Sequence, residues 1–238
     1  MPNHVTNNLT FYRDNCYSPV SPELFRHICM VLQGDDPDRS YGSVDFNVLI
    51  PMPDELKNIE ASSRGENGYA LYARYMHASS GASEEEKARL EAYLREGVDN
   101  ETWELGKRYY ENSQKYGHTT WYGWANQHWL TKWNAYDCSH NEHCRRLTFL
   151  TAWSAPDPVI KRISKRFPEL TILHEWADEN VGYNTGIIEY TDGVAVDENI
   201  PEEGSTEAYD MSASILGIDL EDYGLVLGDD GEYHEEEV

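Results

Sequence analysis

Apolar and polar residues alternate near the start of the chain. The apolar members of this alternation are Val5, Leu9 and Phe11. Because successive side chains of a strand point to opposite faces, this period of two predicts a strand over residues 4–12. Further on, Ser21 precedes Pro22 and an apolar pattern of helical period that ends at Gly34. This arrangement predicts a first helix with a serine cap at its start.

Two segments of different character follow this helix. Residues 44–50 are rich in valine, phenylalanine and isoleucine and stop at Pro51, which predicts a second strand. Residues 54–120 are rich in alanine, glutamate, arginine and leucine, and Ser83 with Glu86 matches a capping box. We therefore predict a helical insertion after the second strand, extending through an aromatic-rich stretch to residue 136.

The second half of the chain repeats the order strand, helix, strand. The predicted strands cover residues 147–153, 170–177 and 183–190. The helix between the first two has a buried stripe of Ile160, Ile163 and Phe167. Two such units in succession predict an α+β fold of the ferredoxin-like type, in which a β-α-β/β-α-β antiparallel sheet carries helices on one face.

Charge is distributed unevenly along the 238 residues. Residues 167–238 contain 21 acidic residues and no lysine or arginine, whereas residues 1–166 contain 22 acidic and 19 basic residues. Residues 1–166 are therefore nearly neutral. We expect a domain over residues 1–190 and an acidic C-terminal extension over residues 191–238, with only partial order in the extension.

Composition also argues against membrane-spanning, nucleic-acid-binding and secreted proteins. The chain has no apolar run of the ~20 residues that cross a bilayer, and its formal net charge of −24 opposes direct binding to nucleic acid or anionic lipid. Its start lacks the basic and apolar segments of a secretion signal. We expect a protein of the reducing cytosol that contacts neither membrane nor nucleic acid.

Four ordered segments resemble a known family. They are residues 1–10, residues 46–53, residues 132–137 and residues 147–156. Together they resemble the YubB-type ferredoxin-like domain, which occurs in bacteriophages, plasmids and their hosts and has no settled activity. The resemblance implies a ferredoxin-like fold to about residue 190 and no iron–sulfur cluster, since the four cysteines lack the ligand spacing. His4 stands where the family commonly has tryptophan.

Aromatic residues are dense between Trp121 and Tyr136. One interpretation is that they pack the helical insertion, since a buried tryptophan removes on the order of 200 Å² from water. The alternative is a nucleotide pocket in which aromatic rings stack on a base and a lysine meets phosphate. The candidate ligand-binding residues are Lys132, Trp133, Asn134, Tyr136, Asp137 and Trp153.

Two further clusters have candidate chemistry. Thiol and imidazole groups, the donors that zinc prefers, are concentrated in Cys138, His140, His143 and Cys144. A polar connection is the alternative, because all four lie in one short segment and no other cofactor is expected. Lys161, Arg162, Lys165 and Arg166 form a basic patch that we expect to hold the acidic extension, either of the same copy or of another copy in a homo-oligomer.

Motifs for nucleotide hydrolysis, Rossmann cofactor binding, α/β-hydrolase and zincin chemistry are absent from the sequence. His174 and Glu175 cannot share a catalytic site, because neighbouring strand residues point to opposite faces. We therefore predict no catalytic residues. The leading hypothesis is a non-enzymatic phage or plasmid accessory protein that binds the basic surface of a host protein, as an acidic mimic of nucleic acid or an anti-defence factor. The alternative is a domain that sequesters or processes nucleotides near Trp133.

Overall fold

A computed structural model describes residues 3–13, 16–35 and 38–235 of the chain. The chain forms two compact units, one of residues 1–51 with 128–238 and one of residues 52–127. In chain order the elements are β1 (His4–Tyr12), α1 (Pro22–Gln33), α2 (Asp54–Lys57), α3 (Ser63–Ala78), α4 (Glu84–Leu94), α5 (Asn100–Tyr116), α6 (Trp121–His128), β2 (Tyr136–Asn141), β3 (Arg146–Ala152), α7 (Asp157–Arg166), β4 (Thr171–Asp178), β5 (Gly186–Thr191), β6 (Val194–Asn199), α8 (Thr206–Leu216), β7 (Leu225–Leu227) and β8 (Tyr233–Glu235).

The first unit is built on an antiparallel sheet of six strands in the order β2-β3-β1-β4-β5-β6. The elements β1, α1, β2, β3, α7 and β4 supply the β-α-β-β-α-β order of a ferredoxin-like unit, and β5 and β6 extend the sheet beyond β4. This confirms the predicted α+β class.

The two faces of the sheet are covered differently. One face of β1 carries Phe11, which packs against Phe25 of α1, and the same face of β5 carries Tyr190, which donates a hydrogen bond to Asp157 of α7. Helices α1 and α7 therefore cover one face, as predicted. Helix α8 contacts β4 and β1, and it shares a cleft with Glu175 and other side chains of the opposite face.

The predicted strand over residues 44–50 is wrong. Residues Phe46–Val48 form a 3₁₀ turn that is capped by Asp45, whose side chain accepts from the Asn47 backbone N–H at 2.9 Å. The Phe46 ring is fully buried against Trp129 and Phe149, so the apolar residues of this stretch fill the core without joining the sheet.

The second strand of the ferredoxin-like order is β2, which follows the helical unit. The insertion therefore lies between α1 and β2, and not after the second strand as predicted. Its flanks meet within the sheet unit, because the Trp129 indole donates a hydrogen bond to the Ile50 carbonyl at 3.0 Å.

The unit of residues 52–127 is helical, as the composition predicted, and its centre is the contact between α3 and α5. The α4 helix begins with the predicted capping box of Ser83 and Glu86. A Cβ atom placed on Gly106 would lie 2.1 Å from the backbone carbon of Gly68, so these glycines let the two helices approach at backbone distance. Within the described residues, no helix is both long enough and apolar enough to cross a lipid bilayer.

The segment after residue 190 is more ordered than predicted. Strand β6 pairs with β5, and α8 buries Ala208, Met211 and Ser212. The charge of this segment indicated an exposed extension, but apolar and small residues at helical spacing give α8 an inner face that packs on the sheet.

Gly106→Ala should destabilise the helical unit by about 2–3 kcal/mol, because the added methyl group meets the backbone of Gly68 and not a movable side chain. This loss exceeds the helix-propensity gain of roughly 1 kcal/mol for replacing glycine by alanine. Urea unfolding followed by circular dichroism measures the effect. Gly123→Ala is the control: its new Cβ meets only the His118 ring, at 3.2 Å, and should leave stability unchanged or higher. A Gly106→Ala protein as stable as the parent would contradict the predicted close contact.

Candidate functional site

Four of the six predicted ligand-binding residues lie together at one end of the sheet. Strand pairing sets Tyr136 opposite Leu150 and His4 opposite Ala152, so β1 and β2 begin where β3 ends. Trp153 directly follows β3, and Lys132 and Trp133 precede β2. The sheet topology thus assembles Lys132, Trp133, Tyr136 and Trp153, which we call the aromatic cluster.

Lys132 contacts both tryptophans of the aromatic cluster. Its Nζ atom lies 4.6 Å from the ring centroid of Trp133 and 5.0 Å from that of Trp153. The two residues are 37% and 42% exposed, so the rings are accessible as well as paired with a cation. Each such cation–π contact at an exposed site is worth ~0.5–1 kcal/mol. A planar ligand that stacked on the same ring faces would have to displace the lysine.

Trp153 has a backbone conformation that residues other than glycine rarely adopt. Its φ angle is 74°, in the left-handed region that is unfavourable for a bulky residue. Hydrogen bonds fix the segment on both sides: Trp153 donates its backbone N–H to the Asn3 carbonyl at 2.9 Å, and the Asn184 amide donates to the Trp153 carbonyl at 3.0 Å. The exposed indole is therefore displayed by a constrained turn.

Tyr136 is oriented by two hydrogen bonds. Its hydroxyl donates to the Thr151 carbonyl at 3.2 Å and lies 2.7 Å from Nδ1 of His4. Burial raises the pKa of this phenol, so it stays protonated. His4 and Asn184 were not among the predicted site residues. They lie far from the aromatic cluster in sequence, and strand pairing and the hydrogen bonds to Tyr136 and Trp153 reveal their positions.

Asn134 and Asp137 do not belong to the aromatic cluster. The Asn134 side chain accepts from the Phe46 backbone N–H at 2.9 Å and donates to the Asp45 carboxylate at 2.7 Å, which makes it part of the 3₁₀ turn. Burial raises the pKa of Asp45, but hydrogen bonds from Asn134 and Asn47 outweigh burial and lower it overall. Asp137 is exposed in a left-handed conformation at an irregularity between β2 and β3.

The predicted zinc ligands are not brought together. Cys138 is half-buried in β2, and burial raises the pKa of its thiol. The His140 ring packs edge-on against Tyr41, with centroids 4.7 Å apart. Asn141 accepts from the backbone N–H groups of His143 and Cys144, so these two residues lie in a turn. Among residues 3–13, 16–35 and 38–235, no group of three His, Cys, Asp or Glu side chains is arranged to hold a metal ion.

Helix α7 contacts the start of the acidic extension, but not through its basic side chains. The Gly193 backbone N–H donates to the Ser164 hydroxyl at 3.0 Å, whereas Lys161 pairs with Asp157 of its own helix at 2.8 Å. Within the described part of a single chain, no ion pair joins α7 to an acidic residue after Arg166; contact with the extension of another copy stays a prediction.

His174 and Glu175 point to opposite faces, as the strand pattern predicted. Glu175 pairs with Arg146 at 2.9 Å, whereas His174 is 1% exposed and stacks against Trp176 with centroids 5.1 Å apart. The Asn7 amide donates to Val5 and Thr151, so its Oδ1 atom accepts from Nε2 of His174 at 3.0 Å. Nδ1 of the ring has no hydrogen-bond partner. Burial lowers the pKa of His174 to about 3, so the imidazole is neutral.

The acidic residues near α8 form a folded, exposed surface. We define the acidic surface by ten exposed residues, namely Glu202, Glu203, Glu207, Asp210, Asp219, Glu221, Asp222, Asp229, Asp230 and Glu232. Open clefts indent it, one of about 680 Å³ beside Ser205 at the start of α8 and one of about 490 Å³ beside Tyr233. In the part of the chain that the structure describes, Glu175 is the one acidic residue after Arg166 that pairs with an arginine or lysine.

The fold is that of an α+β protein with a six-stranded antiparallel sheet. Residues 132–219, which contain β2 to α8, match the family model described as "Ferredoxin-like domain in Api92-like protein". The crystal structure of the protein Api92 from Yersinia pseudotuberculosis aligns with 86% of this chain and 99% of its own, at 8% sequence identity and a TM-score of 0.36. A search of curated proteins gave no significant match.

His174 should make the protein less stable as the pH falls from 7 to 5. The unfolded histidine takes up a proton below its ordinary pKa of about 6.5, whereas the folded ring stays neutral until about pH 3. The unfolded state then binds more protons, so the free energy of unfolding decreases by up to about 1.4 kcal/mol per pH unit below 6.5. Urea unfolding at pH 5, 6 and 7 measures this dependence.

His174→Phe keeps an aromatic ring beside Trp176 and should flatten the dependence between pH 5 and 7, although Asn7 loses a donor and overall stability drops. His143→Gln, at an exposed position, is the control and should retain the parent's slope. An unchanged slope in His174→Phe would assign the pH dependence to other groups.

Proposed function

We propose that this protein is a non-enzymatic binding protein whose acidic surface engages a basic surface of another protein. The observation that carries the proposal is that the acidic surface is exposed and folded, with Glu175 alone among the described acidic residues after Arg166 paired to an arginine or lysine. Asp230 pairs with His234 at 2.9 Å, and Asp210 and Glu207 accept hydrogen bonds from Tyr233 and Asn199, but all three side chains belong to exposed residues that a partner can reach. The deeply buried imidazole of His174 is neutral and enclosed.

The partner that fits best is a host protein that normally binds nucleic acid. Carboxylates held at intervals on a folded surface present the same sign of charge as a phosphate backbone, and complementary charge steers association. The resemblance of four sequence segments to the YubB-type domain supports an origin in a bacteriophage or plasmid. In that setting an acidic mimic of nucleic acid would act as an anti-defence factor in the bacterial cytoplasm.

Neutralising part of the acidic surface should weaken binding of the partner. The test variant combines Glu202→Gln, Glu203→Gln, Glu207→Gln, Asp230→Asn and Glu232→Gln. Five exposed charges at about 0.3 kcal/mol each correspond to roughly a ten-fold loss of affinity. The parent and the variant are immobilised and exposed to nuclease-treated bacterial lysate, and the retained proteins are quantified by mass spectrometry. We expect nucleic-acid-binding proteins to be lost from the variant and to be displaced from the parent by added duplex DNA.

The matched control neutralises five exposed glutamates of the helical unit, namely Glu66, Glu84, Glu85, Glu96 and Glu104. It has the same net charge as the test variant but leaves the acidic surface intact, so it should retain the same proteins as the parent. Equal retention by the parent and both variants would contradict the proposal, and equal loss from both variants would show that net charge alone is responsible.

The aromatic cluster supports a second candidate function, the capture of a nucleotide. Trp133 and Trp153 are partly exposed, and Lys132 places a cation against both rings. Stacking of a base on such rings is worth ~1–3 kcal/mol, and the displaced lysine would meet the phosphate.

Nucleotides should raise the melting temperature if the aromatic cluster binds them. At 100 times its dissociation constant a ligand adds ~2.7 kcal/mol to stability, about 5–10 °C for a chain of this size. A thermal-shift screen with nucleoside mono-, di- and triphosphates tests this. Trp153→Gly is the informative variant, because glycine accepts the positive φ of Trp153 while the ring is removed. Absence of a shift in the parent, or an undiminished shift in Trp153→Gly, would exclude this site.

A further inference from the structure

Strand β6 is an open edge of the sheet. It pairs with β5 on one side only, and all six of its residues are exposed. Val194, Val196 and the following Ile200 are 61%, 57% and 57% exposed. Val196 has no cross-strand partner, because the register shifts between Tyr190 and Glu189 of β5. Such an edge presents unpaired backbone N–H and C=O groups together with aliphatic side chains, which is the arrangement that accepts an additional strand.

The edge is continuous with the acidic surface. Asp197 and Glu198 are exposed within β6, and the Asn199 amide at its end donates to the Glu207 carboxylate of α8 at 2.9 Å. Glu207 also lines the cleft of about 680 Å³ at the start of α8. A strand added to β6 would therefore lie beside carboxylates along the edge and at its end.

Charge decides between the candidate occupants of this edge. A second copy of the chain brings its own Asp197 and Glu198 to the contact and has a formal net charge of −24, so like charges would oppose self-pairing. An extended segment with basic residues has the complementary charge, because its basic groups meet Asp197 and Glu198, which point to opposite faces of the edge, and its aliphatic side chains pack beside the exposed valines.

We propose that β6 binds an extended segment of the basic partner as a seventh strand of the sheet. This inference rests on the proposed function, and it specifies the mode of contact: backbone hydrogen bonds to the free edge of β6 and ion pairs with Asp197, Glu198 and the acidic surface.

A synthetic peptide of ten alternating lysine and valine residues is the probe, and the full chain is the receptor. The matched control peptide has the same sequence with N-methyl groups on alternate backbone amides, which retain every charge and side chain but remove hydrogen-bond donors. Fluorescence anisotropy should show the unmodified peptide binding at least ten-fold more tightly. Hydrogen exchange should show protection of the amides of residues 194–199 by the unmodified peptide alone.

The five-residue neutralised variant separates the two proposals. If both peptides bind the parent equally and both bind this variant more weakly, the acidic surface binds basic chains but strand addition is wrong. If neither peptide binds the parent, both proposals fail. Light scattering provides a further check, because a stable dimer whose amides at 194–199 are already protected would show that a second copy occupies β6 and would overturn the inference.

Discussion

The acidic surface of this protein depends on the packing of one helix. Helix α8 belongs to a segment with no lysine or arginine, and repulsion among its carboxylates favours an expanded chain. The opposing contribution comes from Ala208, Met211 and Ser212, which are buried against the sheet. The Ser212 hydroxyl also accepts from the Gly182 backbone N–H at 3.1 Å, which ties α8 to the loop after β4. Charge that would otherwise belong to a flexible extension is thereby held at fixed spacing.

Elements with a local signal could be predicted from the sequence. Helix α1 has its serine cap, with the Ser21 hydroxyl accepting from the Leu24 backbone N–H at 3.2 Å. Strand β1 has most of a two-residue period, and β4 is a short run rich in apolar residues. Strand β2 could not be predicted, because it is a polar edge strand and a half-exposed sequence gives no apolar alternation. The strand predicted over residues 44–50 was wrong for the converse reason. Its apolar residues indicate burial, and a residue can be buried in the core without being part of the sheet.

The candidate site could likewise be predicted only in part from local sequence. Lys132 and Trp133 are neighbours in sequence, so their association was predictable, and the register of β2 and β3 then brings in Tyr136 and Trp153. Asn134 has the same local environment in sequence, but its hydrogen-bond partner Asp45 lies 89 residues away. No pattern within the segment distinguishes a side chain that faces a ligand from one that completes a distant turn. The positions of His4 and Asn184 likewise depend on long-range pairing of strands.

The hydrogen bond between Trp129 and Ile50 affects which insertions and deletions the sequence can accept during evolution. The residues that flank the helical unit, Ile50 and Trp129, are hydrogen-bonded to each other within the sheet unit. The helical unit is therefore an insertion, here called the helical cassette, whose two ends join the sheet unit at neighbouring positions. Inserted domains are tolerated where their ends lie close together. The helical cassette can therefore be shortened, lengthened or replaced by recombination while the sheet keeps its connectivity, so the two parts of the protein are able to diverge at different rates.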